Sequence, residues 1–581
     1  ISSLSFLLMR VLFFLLFASC FGLNVAWPVG NPKDTGGASC AGCGIGVGLL
    51  VQVAQVQSQS IADVLADVCN LFKDQVKDSC KEIVDQYGPA IIDLVGEGLG
   101  PDDVCLKIGL CKDATCHVFP STSFTNRELS AIGGRAASDR EKMESLAKAL
   151  AASAYADGTA LGSNPFDWFI KLAEKVFNSH LPLVDIDGDL YSPSPTFRGY
   201  NWRGQDCNIF DKDIHPGSSG RDAYGADVDV DCNGISGTDR YGTPYEEKFC
   251  SNTTSRFGVV ALGDSATAHF HIPPEYLTPS KIGKSTFDTI LDVASNEGDW
   301  PHLSGYTGYV EDNDTEHCPG PVNSFYMNMR NWNRCNHRDY QNIGVNGARI
   351  SHLAGDHVGS MARSKEDQPA IAFIAFVGND VCNGHPDTIS HMTTEEEWTA
   401  SLIAGLDALD QKLPNGSKVV VGGTIDGRVL WDNLHDKPHP FGETVTVLYE
   451  DIYRYLSCLG LSPCVGWLND NATLRDFTSE RNAAFDVASK NVVSQKQGQY
   501  SFDLYFVPCP VNQVISDYKA KGGKVTDLIE PVDGFHPSQI ANALTAQYTW
   551  QFVQENIPEL IGEENPNNAD IINTFGDQGG Y

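Results

Sequence analysis

Positive charge is scarce in this chain. Its 581 residues include 41 Lys and Arg against 74 Asp and Glu, a formal net charge of −33 at pH 7. No basic stripe interrupts that excess, which argues against nucleic-acid binding and against attraction to anionic membranes at neutral pH. Beyond residues 1–26, no run reaches the length of about 18 apolar residues that a membrane-spanning helix needs, so we expect a soluble protein.

Residues 1–26 have the pattern of a secretory signal peptide. Arg10 precedes the short apolar stretch 11–23, and small residues lie near the end of that stretch, which is the usual order of a basic, an apolar and a cleavage region. The sequence therefore predicts a secreted protein, or one kept in lysosomes or other vesicles. Four Asn-x-Ser/Thr sequons agree with this compartment and predict surface glycosylation, at Asn252, Asn313, Asn415 and Asn471.

The apolar run Gly258 to Leu262 ends at Gly263-Asp264-Ser265. A short β-branched run closed by a tight turn is typical of a buried parallel strand, and open α/β sheets carry reactive groups at the carboxyl ends of their strands. A serine in this place can also simply cap a helix. On local grounds alone, Ser265 is only a candidate nucleophile.

Three later segments strengthen that interpretation. Asn346-Gly347-Ala348 comes first, Gly378-Asn379-Asp380 follows the apolar run 370–377, and Asp533-Gly534-Phe535-His536-Pro537 lies near the carboxyl end. With the Gly-Asp-Ser turn, these segments resemble in order and spacing the blocks of the GDSL, or SGNH, esterases and lipases. The resemblance implies that Ser265 is the nucleophile. It also implies three oxyanion-hole donors, namely the backbone N–H groups of Ser265 and Gly347 and the side-chain amide of Asn379.

Ester hydrolysis needs each of these residue types. The hydroxyl of Ser265 requires a base, and His536, with an ordinary pKa of about 6.5, suits the roles of base and later acid. Asp533 lies three residues earlier and is placed to hold the imidazole in the right tautomer, as a triad carboxylate does. Three polar neighbours of the nucleophile are expected to fix the turn, line the site or pack beside it: Asp264, His269 and His271.

Alternating strand and helix patterns predict the fold of this region. Strands are expected at 258–262, 370–377, 418–421 and 502–507, and helices at 394–412 and 538–556. Such alternation implies a parallel sheet covered on both faces. The predicted fold class is therefore α/β, an SGNH-type α/β/α sandwich over residues 251–560, followed by a carboxyl-terminal tail at 561–581.

The cysteines are numerous and patterned. The chain has 17 Cys, and removal of Cys20 with the signal leaves an even number, which in an oxidising compartment predicts disulfides rather than thiols. Six follow the spacing C-x2-C-x25-C-x10-C-x24-C-x5-C from Cys40 to Cys111. Six cysteines allow 15 pairings, and zinc at Cys40-x2-Cys43 is disfavoured because no matching second pair exists. Apolar residues between the cysteines recur at helical intervals, as at Val47, Leu50, Val51 and Ala54.

This cysteine spacing resembles that of saposin B-type domains. The resemblance implies a small all-α, lipid-binding domain at residues 36–117 with the pairs Cys40–Cys111, Cys43–Cys105 and Cys69–Cys80. A domain of roughly 75 residues has little core of its own, so disulfides must supply much of its stability. A purely structural helical cap on the hydrolase is the alternative interpretation.

Cys116 falls outside the six-cysteine frame. With the nine cysteines that follow, it makes an even set, so parity predicts a disulfide from Cys116 to the catalytic domain. Such a bond would keep a small and a large piece joined after a proteolytic cut in the Ser-, Ala- and Gly-rich linker 118–180, part of which, 140–156, has a helical pattern. The nine are Cys207, Cys232, Cys250, Cys318, Cys335, Cys382, Cys458, Cys464 and Cys509.

An Asp-rich segment at 181–250 lies between the two domains. Carboxylates stand at alternate positions around a Gly-bearing turn, which suits Ca²⁺, and a cation would relieve their mutual repulsion. No Glu occupies the twelfth position of an EF-hand loop, so several structural Ca²⁺ sites of loop type are predicted, with an exposed acidic loop as the alternative. The candidate ligands are Asp185, Asp187, Asp189, Tyr191, Asp206, Asn208, Asp211, Asp213, Asp227, Asp229, Asp231 and Asn233.

The order of these parts resembles the acyloxyacyl hydrolase family over essentially the whole chain. The resemblance implies a serine esterase that releases secondary fatty acyl chains from the lipid A of bacterial lipopolysaccharide and so detoxifies it. It also implies contact with a membrane or lipid aggregate through the saposin-like domain, a precursor cut into disulfide-linked small and large subunits, and no organic cofactor. The resemblance rests on short matching segments at Trp202-Arg203-Gly204, Asp206-Cys207-Asn208, Leu262 to Phe270, Cys335 to Asn342, Trp431 to His435, Glu530 to Pro537 and Phe575 to Gly580.

Two other functions stay open at this point. A GDSL lipase or phospholipase that acts on glycerolipids would carry the same catalytic residues, so only a comparison of substrates separates it. A non-catalytic saposin-like lipid carrier is the second alternative, and the intact Ser265, Asn379, Asp533 and His536 argue against it.

Overall fold

The computed structural model describes residues 35–72, 74–119, 124–133, 176–220, 223–310 and 317–580. The expected signal peptide, most of the expected linker and the sequon at Asn313 lie outside these residues. The described chain has a helical region before residue 134 and an α/β region after residue 175.

The helical region is held together by the three disulfides that the saposin resemblance implies. Cys40–Cys111 and Cys43–Cys105 join the first helix to the end of the region, and Cys69–Cys80 joins its middle. A fifth helix, beyond the expected boundary at residue 117, packs against the third. The helices are α1 Gly37–Gln57, α2 Ile61–Val68, α3 Asp74–Gly96, α4 Pro101–Lys107 and α5 Asn126–Gly133.

Helix α1 is long and apolar enough to cross a membrane by length and composition, and most of it is buried within the protein. It contains no uninterrupted run of about 18 apolar residues, so it does not contradict the expectation for the chain after residue 26. Ser39 and Gln52 interrupt the apolar run, yet the average over the helix stays high. Its Cys40 and Cys43 side chains are tied to other parts of the helical region.

The α/β region is built on five parallel strands in the order β2-β1-β3-β4-β5. They are β1 Gly258–Gly263, β2 Tyr340–Gly344, β3 Ala370–Ala375, β4 Lys418–Gly422 and β5 Asp503–Val507. Four strands lie where apolar runs predict them. Strand β2 was not predicted, because it contains Gln341 and Asn342. Their buried amides donate to the carbonyl oxygens of Ala362 and Thr267, both at 2.8 Å.

Helices cover both faces of this sheet. They are α6 Tyr245–Cys250, α7 Ser265–Ala268, α8 Ile290–Ser295, α9 Phe325–Trp332, α10 Val358–Ser360, α11 Glu395–Lys412, α12 Arg428–Leu434, α13 Tyr449–Cys458, α14 Ala472–Lys496, α15 Val511–Ala520, α16 Gln539–Asn556, α17 Pro558–Ile561 and α18 Asn568–Phe575. The predicted helices correspond to α11 and α16. Thr394 is the N-cap of helix α11. Its hydroxyl accepts from the N–H of Glu397 while the Glu397 carboxylate accepts from the N–H of Thr394, a capping box.

Side chains of alternate strand residues enter two separate cores. Val259, Ile371 and Phe373 pack with α9 and α16, whereas Val260, Leu262 and Ile374 pack with α11 and α14. Because successive strand residues point to opposite faces, this division places helical layers on both sides of the sheet. The α/β/α sandwich is thereby confirmed.

The helical region and the hydrolase share one hydrophobic core. Buried residues of α1 and α2 pack with α13 and with the segment that follows the nucleophile, including Phe270 and Leu277. Two glycines of α1 permit the close approach, since a Cβ would lie 2.5 Å from the Tyr455 hydroxyl at Gly44 and 2.2 Å from the Phe119 ring at Gly48. The two domains therefore form one packed unit.

Not every cysteine is paired. The α/β region contains Cys207–Cys232, Cys250–Cys335 and Cys382–Cys464, and Cys116 bonds to Cys458. Cys318 and Cys509 are free, so the expectation of disulfides throughout is wrong. Cys318 is buried, and its Sγ lies 3.6 Å from both His269 Nε2 and Gln539 Oε1, the contacts of a weakly polar thiol.

Candidate active site

The nucleophile lies just beyond the end of strand β1. Ser265 starts the short helix α7, and Asp264 is its N-cap, accepting at Oδ1 from the N–H of Ala266 at 3.0 Å. The other carboxylate oxygen of Asp264 accepts from the N–H of Val377 at 2.9 Å. Asp264 thus fixes the turn and ties it to the end of β3, the structural role expected of it.

Three residues form a hydrogen-bonded chain at this edge of the sheet. His536 Nε2 lies 2.7 Å from Ser265 Oγ, and His536 Nδ1 contacts Asp533 Oδ2. Burial alone would lower the pKa of His536, but the Asp533 carboxylate and its hydrogen bond raise it. This is the arrangement in which imidazole accepts the serine proton and the carboxylate stabilises the resulting cation.

A tight loop before α16 gives the Asp533–His536 pair its shape. Oδ1 of Asp533 accepts from the backbone N–H groups of Phe535 at 2.8 Å and His536 at 3.1 Å. Gly534 has a φ of 61°, and a Cβ there would lie 2.5 Å from the hydroxyl of Tyr453. Only glycine therefore fits this turn without displacing its neighbours.

The two further oxyanion-hole candidates flank the nucleophile on the adjacent strands. Gly344 and Ala375, which end β2 and β3, both pair in register with Gly263. Gly347 follows β2 with a φ of 74°, and Asn379 follows β3. Within the described residues, the Asn379 side chain has no hydrogen-bond partner, so its amide is available to a ligand.

A buried carboxylate behind the triad is the functional residue that the motifs did not single out. Glu530 is fully buried and accepts at Oε2 from the N–H groups of Val532 at 2.8 Å and Asp533 at 2.6 Å. Its Oε1 lies 3.3 Å from Nδ1 of His271. Burial, and next the charge of Asp533, raise the pKa of Glu530 to about 7.

The two histidines that follow the nucleophile differ in role. His269 bonds through Nε2 to Gln539 at 2.6 Å and through Nδ1 to Asn542 at 3.1 Å. Burial, aided by the charge of His271, lowers the pKa of His269 to about 3, so it is a neutral packing residue that joins the nucleophile segment to α16. His271 instead bridges Glu530 and the carbonyl oxygen of His317, the latter at 2.8 Å.

A large apolar cavity lies between the helical region and the hydrolase. Its volume is about 740 Å³, and it is enclosed by α1, α2 and α3 together with hydrolase residues such as Leu277, Ile282 and Phe287. The hydrophobic core around it extends to Phe270, whose ring centroid lies 4.7 Å from that of His536. The cavity has the size and lining of a site for apolar ligands.

The first group of the Asp-rich segment converges as a cation site requires. Carboxylate oxygens of Asp185, Asp187 and Asp189 lie within 4.8 Å of one another. Buried Oδ2 atoms of Asp187 and Asp189 have no hydrogen-bond partner. Burial raises the pKa of Asp206, and the nearby charges of Asp187 and Asp185 raise it further. Hard oxygen donors without partners fit a divalent cation such as Ca²⁺.

The other candidate ligands form no such converging group within the described residues. Asp231 pairs with Arg256, which also contacts Glu246. The hydroxyl of Tyr191 donates to the carbonyl oxygen of Ala362 at 3.1 Å and does not face the carboxylates. Asp229 accepts from backbone N–H groups, Asp211 from Tyr224 and Asp213 from Lys212; Asn208 accepts from the N–H of Phe210. Asp227 and Asn233 also belong to no cluster of candidate metal ligands within the described residues.

Three of the four sequons lie on the described surface. Asn252, Asn415 and Asn471 are exposed. Asn471 also caps α14, with its side-chain oxygen accepting from the N–H of Leu474. A glycan would be attached to the amide nitrogen, which this bond leaves free. Glycosylation stays a prediction at all four positions.

Fold and site together define a class. The parallel sheet carries a Ser–His–Asp chain at its carboxyl edge and is joined to a disulfide-bonded helical domain. This arrangement is typical of a serine ester hydrolase with a saposin-type domain. The chain matches the family model described as GDSL-like Lipase/Acylhydrolase over residues 259–549 and the model Saposin-like type B, region 2 over residues 78–111.

Relatives extend across both domains. The chain is 38% identical over 558 residues to acyloxyacyl hydrolase of Mus musculus, covering 94% of each chain, and 36% identical over 564 residues to that of Homo sapiens, covering 95% of each. Saposin-C of Cavia porcellus is 38% identical over 53 residues, 9% of this chain and 65% of that protein. The chain belongs to the acyloxyacyl hydrolase family.

Proposed function

We propose that this enzyme hydrolyses acyloxyacyl esters of bacterial lipid A and releases the secondary fatty acyl chains. The observation that carries the proposal is the similarity to acyloxyacyl hydrolases over 94% of the chain, including both domains. A general lipase fold alone would leave the substrate undefined.

The reaction follows from the triad geometry. His536 Nε2 takes the proton of Ser265 Oγ as that oxygen attacks the ester carbonyl, and the negative charge that develops faces the N–H groups of Ser265 and Gly347 and the Asn379 amide. His536 then gives its proton to the departing alkoxide oxygen, which leaves as the hydroxyl group of the remaining acyl chain. Water, deprotonated by His536, hydrolyses the acyl-enzyme and releases the fatty acid.

The 740 Å³ cavity supports a role for the saposin-type domain in handling the lipid. Acyl chains leaving an aggregate lose their apolar surroundings, at about 0.8 kcal/mol per CH₂ group. A cavity shared by α1, α2, α3 and the segment after the nucleophile would offset that cost. We propose that it shelters acyl chains while one ester is presented to Ser265.

Calcium binding belongs to the same proposal. Asp185, Asp187, Asp189 and Asp206 would hold the ion, with the partnerless Oδ2 atoms of Asp187 and Asp189 as the supporting observation. When bound, the ion would neutralise these carboxylates and stabilise the segment between the domains. Its readout is an increase in thermal unfolding temperature on Ca²⁺ addition, lost in Asp187→Asn.

Compartment and processing complete the proposal. Seven disulfides in the described chain agree with passage through the secretory pathway. We propose that the protein is secreted or held in lysosomes or other vesicles, is glycosylated, and matures by a cut within residues 118–180. The Cys116–Cys458 bond would keep the two pieces together.

The substrate proposal is tested by identifying the fatty acids released from lipopolysaccharide and from a phospholipid. Wild-type protein should release only secondary chains from lipopolysaccharide, and Ser265→Ala should lose roughly 10⁴–10⁶-fold in rate. Ser285→Ala, at an exposed serine of the same domain, is the matched control and should retain full activity. Release from the phospholipid alone would overturn the substrate, and full activity of Ser265→Ala would overturn the nucleophile.

A further inference from the structure

The loop that follows strand β3 gathers three metal-ligating side chains outside the triad. Ligand atoms of His385, Asp387 and His391 all lie within 4.8 Å of one another. The two imidazole rings are stacked, with centroids 3.6 Å apart and an angle of 12° between their planes, so both must rotate to direct a ring nitrogen at one shared ion. His391 Nε2 lies 3.4 Å from Asp387 Oδ1.

Several bonds hold this loop in shape. Arg349 donates to the carbonyl oxygens of His391 at 2.9 Å and Cys382 at 3.3 Å, so it spans the two ends of the loop. The side chain of Asn383 donates to the carbonyl oxygen of Thr388 at 3.1 Å. The Cys382–Cys464 disulfide anchors the first end to another part of the domain. The three side chains are thus presented by a fixed backbone.

Two imidazoles and one carboxylate form a donor set that suits borderline transition metals. Imidazole nitrogen and carboxylate oxygen both bind Zn²⁺, which commonly takes three protein ligands and leaves a fourth position open. Oxygen-rich sites such as the Asp185 group favour Ca²⁺ instead. We propose that His385, Asp387 and His391 bind one transition-metal ion of the Zn²⁺ class, independently of the calcium site.

An outer-shell partner supports this assignment. Ser390 Oγ donates to Asp387 Oδ2 at 2.7 Å, which leaves Asp387 Oδ1, the oxygen nearest His391, directed at the proposed ion. Ligating carboxylates are usually held by such a second hydrogen bond. Ser390 is therefore a positioning residue for this site.

The site belongs to the same edge of the sheet as the oxyanion hole. Asp380, next to Asn379, accepts from the hydroxyl of Thr393 at 2.7 Å and from the N–H of Ile350 at 3.0 Å. These bonds join the His385–His391 loop to the segment that carries Gly347. An ion bound by the His385–His391 loop would therefore lie close in structure to the two segments that supply Asn379 and Gly347 as oxyanion donors.

The test uses full-length protein saturated with Ca²⁺, titrated with Zn²⁺ by calorimetry and with Co²⁺ by visible absorption. One equivalent of each metal should bind, and the Co²⁺ spectrum should show d–d bands without thiolate-to-metal charge transfer. His385→Ala and His391→Ala should abolish this binding, and Ser390→Ala should weaken it by roughly 10–100-fold.

His317→Ala is the matched control, because His317 also contacts a carboxylate, that of Glu275, but belongs to no group of three ligands among the described residues. It should bind the metal as the wild type does, and thermal unfolding should show that every variant is folded. Absence of stoichiometric binding in the wild type, or unchanged binding in a folded His385→Ala/His391→Ala double variant, would overturn the proposal. A charge-transfer band would also overturn it, since it would assign the ion to Cys318 or Cys509.

Discussion

Glu530 links the backbone of the catalytic loop to its electrostatics. Its carboxylate accepts from two consecutive backbone N–H groups, and its own N–H donates to the carbonyl oxygen of His536 at 2.8 Å. Its charge also adds to those of Asp533 and Asp264 in raising the pKa of His536. One buried side chain therefore influences both the position and the basicity of the catalytic imidazole.

We predict that the acid limb of kcat/KM lies above the ordinary histidine pKa of about 6.5, because His536 must be neutral to accept the serine proton and its pKa is raised. Glu530→Gln keeps an acceptor oxygen but removes a charge that raises this pKa. The limb should move to lower pH. A pH profile with a soluble short-chain ester measures it.

Two variants separate charge from position at Glu530. Glu530→Ala also removes the acceptor of two buried N–H groups, so it should lower kcat and cost about 1–3 kcal/mol of stability. Glu275→Gln removes a carboxylate beside a different histidine and should leave the acid limb in place. An unmoved limb in Glu530→Gln would show that Glu530 does not act on His536.

The residues of the site were predictable to different degrees. Ser265, Asp533 and His536 stand in patterned segments, and their chemistry depends on residue type. Glu530 precedes the Asp533 segment without a pattern of its own, and His271 is distant from it in sequence. Glu530 and His271 pair only because the tertiary structure brings the loop before α16 next to the segment after β1. In contrast, the convergence of Asp185, Asp187 and Asp189 could be predicted, because these residues lie close together in sequence within one turn.

At the scale of elements, the contact between α1 and the hydrolase depends on a polar residue as well as on the shared core. Gln52 is fully buried. Its Nε2 donates to the carbonyl oxygen of Phe441 at 2.7 Å, and its Oε1 accepts from the N–H groups of Glu443 at 3.0 Å and Thr444 at 3.1 Å. The first bond satisfies the carbonyl oxygen of buried Phe441, and the other two fix the exposed residues Glu443 and Thr444 against α1.

We predict that Gln52→Leu weakens docking of α1. A leucine of similar volume removes three hydrogen bonds and leaves the carbonyl oxygen of buried Phe441 without a partner, at a cost of roughly 1–3 kcal/mol. Hydrolysis of aggregated lipid should fall more than hydrolysis of a soluble short ester, because only the former needs the cavity shared by the two domains. The ratio of the two rates and the thermal unfolding temperature measure the effect.

Gln57→Leu tests whether the position rather than the substitution matters. It makes the same change near the end of α1 at an exposed residue, whose amide reaches the carbonyl oxygen of Ile282 only at 3.5 Å. It should change the stability by no more than about 0.5 kcal/mol; because Gln57 lines the cavity, the two variants are compared by their thermal unfolding temperatures. Equal effects of the two variants would contradict the role assigned to Gln52.

Strong local patterns explain which elements were predictable. Helix α11 combines a capping box with three acidic residues in its first turn, and β1 and β3 are uninterrupted apolar runs. Strand β2 is buried but polar, and its amides are satisfied by Ala362 and Thr267, which are distant in sequence. Helix α14 is long but mixed in polarity, so its sequence shows no clear apolar face.

At the scale of the whole molecule, the even number of cysteines predicted only part of the disulfide pairing. It correctly predicted that Cys116 bonds to the catalytic domain, at Cys458, because a cysteine left over from a closed frame needs an outside partner. It wrongly predicted pairing of Cys318 and Cys509. An even count allows two thiols as readily as one more disulfide, and burial can protect Cys318 without a bond.

The Cys116–Cys458 bond joins residues 342 positions apart, on opposite sides of the proposed cut. We predict that protein cut between residues 134 and 175 runs as one band in a denaturing gel without reductant and as two bands with it. Cys458→Ser should give two bands in both gels. In native gel filtration, cut Cys458→Ser should still elute as one species, because the shared apolar core and the Gln52 bonds remain. Separation there would show that the disulfide, rather than packing, holds the domains together, and lipid hydrolysis should then fall with dilution.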